Sequence, residues 1–214
     1  MIAYAIEAMQ QSRIFDRIVV STDSLSIAEV ARSFGAEVPF LRPPELSDSA
    51  SNTIDVIFHA LDKVNVDPDT RVCCVYATNP FLTEQLISFG LELLINSSGF
   101  DYVTPVVRYG FPIQRSLSLK SGQLTMTNPE YMYAHSQNLT ANYHETAQFW
   151  WAFAETWHNK IDMQRRIRGI LVPEWCQQDI DTEEDWIVAE LKYLQLKLRP
   201  DWPLSRDYLT RNTL

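Results

Sequence analysis

Glycine is scarce in this sequence, with 6 residues in 214, which is less than half the average usage of about 7%. The glycines stand singly, at Gly35, Gly90, Gly99, Gly110, Gly122 and Gly169. A glycine-rich loop that surrounds a phosphate with backbone N–H groups needs several glycines at short intervals. The sequence therefore contains no glycine-rich phosphate loop.

Cysteine is also rare, and its spacing excludes two kinds of site. Cys73 and Cys74 are adjacent in an apolar stretch, so in a strand they point to opposite faces, and Cys176 is distant in sequence. This pattern is neither a disulfide framework nor a metal-ligand spacing. A reducing compartment is the simplest interpretation, and we expect a cytoplasmic protein.

Long apolar runs and positive net charge are absent as well. No apolar run approaches the roughly 20 residues that cross a bilayer, and the net charge is −9. We therefore expect neither a membrane nor a nucleic acid as a partner, although a local basic pocket can still bind phosphates. What remains is an ordinary globular composition, with 46% apolar and 21% charged residues, in a length that fits one domain over residues 1–214.

Apolar strands and amphipathic helices alternate along most of the chain. Strands are predicted at 17–21, 37–41, 71–76, 102–107, 147–153 and 167–172, and helices at 2–11, 24–34, 53–64, 83–96 and from 181 onward. An apolar stripe in the last helix contains Trp186, Ile187, Leu191, Leu194 and Leu198. The alternation predicts an α/β fold of Rossmann-like type, with a mostly parallel sheet and helices on both faces.

Two segments depart from this alternation. Residues 114–119 and 124–127 predict a β-hairpin around Lys120-Ser121-Gly122. The polar tail over 200–214 is expected to be loosely held.

Polar residues follow the predicted strands, where ligands bind in α/β proteins. In an open parallel sheet the ligand lies beyond the carboxyl ends of the strands. The segments at that edge are 21–23, 41–53, 77–80 and the acidic stretch 179–185. We expect the functional site among them.

Four blocks of the sequence resemble those of the acylneuraminate cytidylyltransferases. They are IVVSTDSLSIAEVARSFGAEVPFLRPPELSD, YATNPF, YHETAQFWW and QDIDTEEDW, which follow in family order between residue 1 and about residue 196. One block alone would be a weak signal, but four at family spacing are specific. The resemblance implies a nucleotide-diphospho-sugar transferase fold. It also implies an enzyme that transfers CMP from CTP to an acidic nine-carbon sugar and releases pyrophosphate.

Two details favour the pseudaminic acid branch of this family. Tyr76-Ala77-Thr78-Asn79-Pro80 stands where sialic acid enzymes usually carry Gln-Pro-Thr-Ser-Pro. Residues 143–149 carry Tyr-His-x-x-x-Gln-Phe in place of Asn-Gly-Ala-Ile-Tyr. A sialic or legionaminic acid substrate is the alternative.

The acidic block has two interpretations, a helix cap and a metal site. As a cap, Asp181 is the N-cap and Glu184 is its capping-box partner. Glu183 and Asp185 then favour the helix dipole, and Asp179 is left unexplained. If 179–181 is extended, Asp179 and Asp181 share a face, and Mg²⁺ takes one or two protein carboxylates together with substrate phosphate oxygens. By resemblance, Asp179 and Asp181 are the catalytic residues that bind Mg²⁺.

The resemblance also implies contacts with the two substrates. The nucleotide-binding candidates are Arg42, Ser51, Asn52 and Thr53, and the sugar-binding candidates are Tyr76, Thr78, Asn79, Gln137, Tyr143, His144 and Gln148. Simpler interpretations stay open, namely a surface arginine, an N-cap at Asn52 or Thr53, and a purely structural His144. His135 lies shortly before Gln137, where branch members tend to carry an arginine, so the identity of the sugar is open.

The hairpin over 114–127 resembles the insert through which the family dimerises. We therefore expect a homodimer, with a lid or an edge hairpin within one subunit as the alternative.

The start of the chain differs from the family pattern. The family begins with a strand and a loop rich in Gly, Arg and Lys for the CTP phosphates, whereas residues 1–4 already correspond to the helix that follows, with no N-cap before it. We expect about two dozen residues upstream of Met1 in a longer enzyme. The 214-residue chain is then expected to be poorly stable and nearly inactive alone. A degenerate, non-catalytic relative is the alternative.

Overall fold

The structure is a computed structural model that describes residues 1–48, 50–198, 204–211 and 213. The helices are α1 (Ile2–Ser12), α2 (Leu25–Ser33), α3 (Thr53–Val64), α4 (Glu84–Asn96), α5 (Ala154–His158), α6 (Glu183–Lys197) and α7 (Arg206–Arg211). The strands are β1 (Arg71–Val75), β2 (Tyr102–Arg108), β3 (Leu117–Lys120), β4 (Gln123–Met126), β5 (Tyr143–Glu145), β6 (Phe149–Phe153) and β7 (Ile167–Leu171). Side chains of Ser24, Asn52 and Thr83 cap α2, α3 and α4, which explains where these helices begin.

The main sheet has five strands and is not mostly parallel. Its order is β1-β6-β2-β5, with β7 paired to β2. β6 runs antiparallel to β1 and β2, β5 runs antiparallel to β2, and only the β2–β7 pairing is parallel. The prediction of a mostly parallel sheet is therefore wrong.

The cause of this error lies in the connections between the strands. β1 and β2 are joined through helix α4 and share one direction, because both run antiparallel to β6. β6 instead follows a long excursion through the hairpin and β5, and it enters the sheet between β1 and β2 from the opposite end. Apolar periodicity identifies a strand but does not give its direction.

Helices cover both faces of the sheet, as predicted. Alternate residues of β6 define the two faces, because successive side chains of a strand point to opposite sides. Phe149 and Trp151 pack in a cluster with residues of α4, whereas Trp150 and Ala152 pack in a second cluster with residues of α3 and α5. Gly90 allows the close approach of α4, since a Cβ there would lie 2.8 Å from Phe149 and Trp151 ring atoms.

The strands predicted at 17–21 and 37–41 are reduced to one parallel bridge between Val19 and Glu37. Two backbone hydrogen bonds hold it, from Val20 N–H to the Glu37 carbonyl and from Glu37 N–H to the Ile18 carbonyl. A small separate cluster of apolar residues from α1 and α2 packs beside this bridge.

The hairpin predicted over 114–127 forms from β3 and β4. Leu117 lies opposite Met126, and the turn at Ser121 and Gly122 has positive φ angles of 50° and 81°, which a two-residue hairpin turn requires. The hairpin is a separate two-stranded sheet.

Part of the segment 200–214 differs from the expected loose tail. Helix α7 packs on α4, and Leu204 and Leu209 are buried in the main cluster. Arg206 Nη2 lies 2.8 Å from Glu92 Oε2. Two buried leucines and this ion pair attach the segment to α4. Residues 200–203, 212 and 214 lie outside the described residues.

No helix among the described residues combines the length and the apolar character that crossing a membrane requires.

Candidate active site

The carboxyl ends of β1, β2 and β7 lie at one edge of the sheet, because these three strands share a direction. The acidic stretch follows β7 after a short 3₁₀ helix (Glu174–Cys176). The Ile180 N–H donates to the Thr78 carbonyl at 3.1 Å. This bond brings the acidic stretch to the segment that follows β1, as the position of ligand sites in α/β sheets predicts.

The helix cap in this stretch is one residue later than predicted. Thr182, not Asp181, is the N-cap of α6, and Asp185, not Glu184, completes the capping box. Asp185 Oδ2 accepts from Thr182 Oγ1 at 2.7 Å and from the Thr182 and Asp181 N–H groups at 2.9 and 3.2 Å. These bonds lower the pKa of Asp185, with the Thr182 hydroxyl as the main cause.

The carboxylates of Asp179 and Asp181 take no part in the cap. Asp181 is exposed, and only its backbone N–H is used by Asp185. Asp179 Oδ1 is buried and has no hydrogen-bond partner. Because a buried polar atom normally has a partner, this oxygen has the character of a ligand atom rather than a structural one.

A divalent cation fits this donor set. Within the described part of the chain, no three His, Cys, Asp or Glu side chains are grouped so that they could hold one metal ion. Mg²⁺ needs no such group, since one or two carboxylates, waters and substrate phosphate oxygens complete its coordination. The unpartnered oxygen of Asp179 and the exposed carboxylate of Asp181 supply that minimal set.

Tyr76, directly after β1, contacts the start of α3. Its hydroxyl lies 3.2 Å from Thr53 Oγ1. Burial, with further contributions from Cys74, Glu145 and Asp179, raises the pKa of Tyr76 to about 12, against the opposing effect of the Thr53 hydrogen bond. The phenol is therefore a neutral hydrogen-bonding group at the start of α3.

The other nucleotide-binding candidates are tied into local structure. Arg42 Nε donates to Ser47 Oγ at 3.1 Å, and its Nη2 lies 3.6 Å from Asp23 Oδ1. Asn52 is the N-cap of α3, which confirms the simpler interpretation of this residue. The Ser51 hydroxyl donates to Asp48 Oδ1 at 2.8 Å.

Two sugar-binding candidates, Asn79 and Gln148, are each only 1% exposed. Asn79 Nδ2 donates to the Thr146 carbonyl at 2.7 Å, and Gln148 Nε2 donates to the Cys176 carbonyl at 3.3 Å. The Thr146 hydroxyl donates to Gln148 Oε1 at 3.0 Å. These amides hold the loop between β5 and β6 against the segment after β1 and the 174–176 turn. Their direct contact with a sugar stays a prediction.

Thr146 is the residue that the sequence interpretation missed in this network. It is 1% exposed and joins both buried amides. The neighbouring Ala147 has a φ of 50° and donates its N–H to Glu145 Oε2. A polar run between two strands was the available signal, but the sequence alone does not show which of its side chains turn inward.

An open cavity of about 590 Å³ lies beyond the ends of β2 and β7. Gln137 lines it together with Arg108, Tyr109 and Glu174, three residues that the sequence interpretation did not select. The cavity is large enough for a sugar-sized ligand. It presents one guanidinium, one carboxylate, the amides of Gln137 and Asn142, and several hydroxyl groups beside its apolar walls.

Tyr143 and His144 lie on β5, beside this cavity. They pair with Arg108 and Val107 of β2. The His144 ring lies 4.7 Å from the Tyr109 ring, centroid to centroid, and its Nδ1 lies 2.9 Å from the Glu145 carbonyl. Of the predicted sugar residues, Asn79 and Gln148 form a buried group. A second group lies at or beside the cavity, namely Gln137, Tyr143 and His144. Tyr76 and Thr78 lie apart from both, in the segment directly after β1.

Comparison with known proteins identifies the family. A family model described as cytidylyltransferase matches residues 1–166. The chain belongs to the cytidylyltransferase family. The predicted class of enzyme, a nucleotidyltransferase, is thereby confirmed.

Individual relatives of this cytidylyltransferase are similar over most of its length. It is 30% identical to the pseudaminic acid cytidylyltransferase of Campylobacter jejuni over 197 residues, which cover 90% of this chain and 84% of that protein. It is 27% identical to the N-acylneuraminate cytidylyltransferase of Escherichia coli over 191 residues, which cover 88% of this chain and 45% of that protein. The resemblance drawn from the four sequence blocks is confirmed.

Solved structures confirm the fold of this cytidylyltransferase. A CMP:2-keto-3-deoxy-manno-octonic acid synthetase complexed with CTP aligns with a TM-score of 0.62 at 11% identity, covering 92% of this chain and 88% of that one. A 4-diphosphocytidyl-2C-methyl-D-erythritol synthase aligns with a TM-score of 0.58 at 11% identity, covering 90% and 89%. At these identities the likeness concerns the fold alone.

Proposed function

We propose that this cytidylyltransferase transfers CMP from CTP to a nonulosonic acid, with pseudaminic acid as the substrate, and releases pyrophosphate. One structural observation supports the proposal more than any other. The buried oxygen of Asp179 lacks a partner, and the adjacent Ile180 is bonded to Thr78 in the segment after β1. The 30% identity to a pseudaminic acid cytidylyltransferase over most of both chains supports the choice of sugar.

Asp179 and Asp181 would hold the Mg²⁺ ion in this proposal. When bound, the metal neutralises charge on the phosphate oxygens of CTP. The chain's own contribution is to present two carboxylates at a fixed place, since the Ile180 N–H is bonded to the Thr78 carbonyl between them. The capping box of Thr182 and Asp185 fixes the chain immediately after Asp181.

The reaction needs little covalent chemistry from the protein. The anomeric hydroxyl of the sugar attacks the α-phosphorus of CTP, the bond to the β-phosphate oxygen breaks, and pyrophosphate leaves as the hydroxyl gives up its proton. Catalysis of such a transfer is mostly positioning and charge stabilisation. Arg42 and Thr53, the nucleotide candidates from the sequence, would orient the nucleotide. The protonated phenol of Tyr76, which the resemblance gave as a sugar contact, would act beside them, because its hydroxyl lies 3.2 Å from Thr53 Oγ1.

The open cavity is the proposed sugar subsite. Arg108 offers a permanent cation for the carboxylate of a nonulosonic acid, and Gln137 offers an amide for its hydroxyl or acylamino groups. Tyr143 and His144 border the cavity from β5. Arg108 thus supplies a cation in a region where His135 stands in place of the arginine common in this branch.

A related nonulosonic acid is the second candidate substrate. Over 96 residues the chain is 38% identical to a CMP-N,N'-diacetyllegionaminic acid synthase of Legionella pneumophila, which covers 44% of this chain and 41% of that protein. This higher local identity favours testing legionaminic acid beside pseudaminic acid.

Pyrophosphate release tests the proposed function. The purified chain is supplied with Mg²⁺, one nucleotide at a time (CTP, UTP, ATP or GTP), and pseudaminic, legionaminic or N-acetylneuraminic acid. Because the chain alone is expected to be nearly inactive, we expect slow release, and we expect it to be highest with CTP and pseudaminic acid. Release with none of the pairs would favour the non-catalytic relative, and preference for another sugar would overturn the choice of pseudaminic acid.

A homodimer through the hairpin is part of this proposal. Leu117, Leu119 and Leu124 of the hairpin are about 60% exposed or more, so they offer an apolar surface to a second copy. Light scattering at micromolar concentration tests it. We expect a dimer that Leu119→Glu with Leu124→Glu weakens, whereas a monomer in the parent chain would leave the hairpin as a lid or an edge element.

A further inference from the structure

Helix α6 has one face on the protein body and one face in solvent. On the inner face, Ala189 is 5% exposed, and Lys192 Nζ donates to the Glu174 and Gln177 carbonyls at 3.1 and 2.8 Å. The outer face carries Ile187, Leu191 and Leu194, which are 54%, 63% and 58% exposed, and continues to the C-cap residue Leu198, which is 77% exposed. A soluble helix normally turns such a stripe toward a core. We name these four residues the outer seam.

The spacing of the outer seam is that of a coiled-coil contact. Its residues are separated by four, three and four positions, which is the heptad pattern of a and d sites. This spacing is the same in either direction along the helix. An antiparallel second copy therefore places Leu191 against Leu194 of the partner subunit, and Ile187 against Leu198 of the partner subunit.

Charges beside the outer seam fit the same antiparallel arrangement. In the heptad, Leu191 and Leu198 occupy a sites, and Ile187 and Leu194 occupy d sites. Glu190 and Lys197 each precede an a site, so both are g residues on one flank of the seam. On a single helix they are about 10 Å apart, and among the described residues neither belongs to an ion pair. In antiparallel pairs, g sites of the two helices face each other. Glu190 then meets Lys197 of the partner subunit, and the reverse pair forms by symmetry.

We infer that the outer seam of α6 is a self-association surface on which a second copy of this chain docks antiparallel through the same seam. The contact is isologous, as a two-fold dimer requires. A parallel arrangement would place Glu190 near Gln195 instead and would lose both ion pairs. The contact is separate from the hairpin, since α6 and the β3–β4 hairpin are different elements of the fold.

The first experiment measures association through the outer seam alone. Two substitutions in the hairpin remove the other proposed dimer contact. Sedimentation velocity is measured on the full chain carrying Leu119→Glu and Leu124→Glu, at about 1 to 200 µM, a range that suits a contact of this small size. We expect a reversible dimer in this background. Leu191→Glu is expected to raise its dissociation constant by about 10-fold or more, because a carboxylate is buried at the centre of the seam. Leu25→Glu is the matched control, since Leu25 is equally exposed at 65% on α2, and it should leave the constant unchanged.

A charge-reversal pair tests the direction of the helices. Glu190→Lys and Lys197→Glu should each weaken the homodimer, because like charges then face each other. Mixing the two variants should restore association, since both cross-helix pairs become complementary in the antiparallel heterodimer. A monomer throughout the concentration range, or no gain on mixing, overturns the proposal. Far-UV circular dichroism confirms that each variant is folded.

Discussion

Two neighbouring regions of the acidic stretch use their carboxylates in opposite ways. In the first turn of α6, Asp185 accepts hydrogen bonds from Thr182, Asp181 and the Gln178 amide. Six residues earlier, Asp179 Oδ1 is buried without a partner. Both residues are aspartates in one short segment, so residue type does not explain the difference.

The difference shows which acid holds the fold and which is available to a ligand. A buried polar atom without a partner is destabilising unless something binds it. Asp185 therefore belongs to the helix cap, and Asp179 is the candidate ligand. The cap interpretation holds for Thr182 and Asp185, whereas the metal interpretation stays a prediction and concerns Asp179 and Asp181.

The largest expected effect comes from Asp179→Asn. It removes negative charge from the proposed metal pair, so turnover should fall by at least about 100-fold, or about 2.7 kcal/mol in the activation free energy. Thermal stability should change little, because Asp179 Oδ1 makes no hydrogen bond in the protein. Pyrophosphate release gives the turnover, and electron paramagnetic resonance of Mn²⁺ in the presence of CTP gives metal affinity independently of turnover.

Asp185→Asn is the matched control for this experiment. It also removes one carboxylate from the stretch, but it should leave Mn²⁺ affinity close to that of the parent chain. If Asp179→Asn and Asp181→Asn both retained parental turnover and Mn²⁺ affinity, the proposed metal site would be wrong, and the acidic stretch would serve as a helix cap alone.

The next effect concerns stability and the buried amides. Asn79→Ala leaves the Thr146 carbonyl and the Phe81 N–H without their partner. We expect the free energy of unfolding to fall by about 2 kcal/mol. Gln137→Ala at the open cavity should change it by less than about 0.5 kcal/mol. Urea unfolding measures both, and equal losses would show that the buried and open groups do not differ in role.

The sequence predicted the elements of this fold better than their directions. Ends of helices followed from local chemistry, as at Asn52, which caps α3. The direction of β6 depends on how the chain returns to the sheet after the hairpin, which no local pattern records. The two strands predicted at 17–21 and 37–41 formed only a bridge, because strand propensity does not provide a pairing partner.

The same limit applies to the candidate site. The resemblance selected Asp179, Tyr76 and Gln148, which lie near the carboxyl ends of β1 and β7 and whose substrate contacts stay predictions. It did not separate contact residues from buried positioning residues. Thr146 and Arg108 were missed because their importance arises from burial and from the cavity, which are properties of the folded chain.

A smaller effect is expected at the cap itself. Thr182→Ala removes the N-cap hydroxyl of α6 and should lower the free energy of unfolding by about 1 kcal/mol. Glu184→Gln in the same turn is the control, because Glu184 is not part of the capping box. Thermal unfolding compares the two, and equal losses would contradict the one-residue shift of the cap.

The pH dependence of the cap follows from the lowered pKa of Asp185. A carboxyl with a lowered folded pKa contributes stability above its unfolded pKa of about 4 and loses it as the pH falls through the folded value. The difference in melting temperature between the parent chain and Asp185→Asn should therefore be constant near pH 7 and shrink below about pH 4. If this difference in melting temperature grew on acidification, the ionised Asp185 carboxylate would not be the group that stabilises the cap.

The smallest expected effect is that of Tyr76→Phe. The folded protein raises the pKa of Tyr76 to about 12. A raised pKa favours the neutral phenol, so this contribution to stability is complete below about pH 10 and is lost only as the pH rises toward 12. The phenol does not titrate in the working range of an assay.

Removing the Tyr76 hydroxyl deletes the Thr53 hydrogen bond, which should raise KM for CTP by about 3-fold. The alkaline limb of the kcat/KM profile should not move below about pH 9.5. A shift of that limb in Tyr76→Phe would mean that the phenol ionises near the Asp179 carboxylate, and the neutral hydrogen-bonding role of Tyr76 would be wrong.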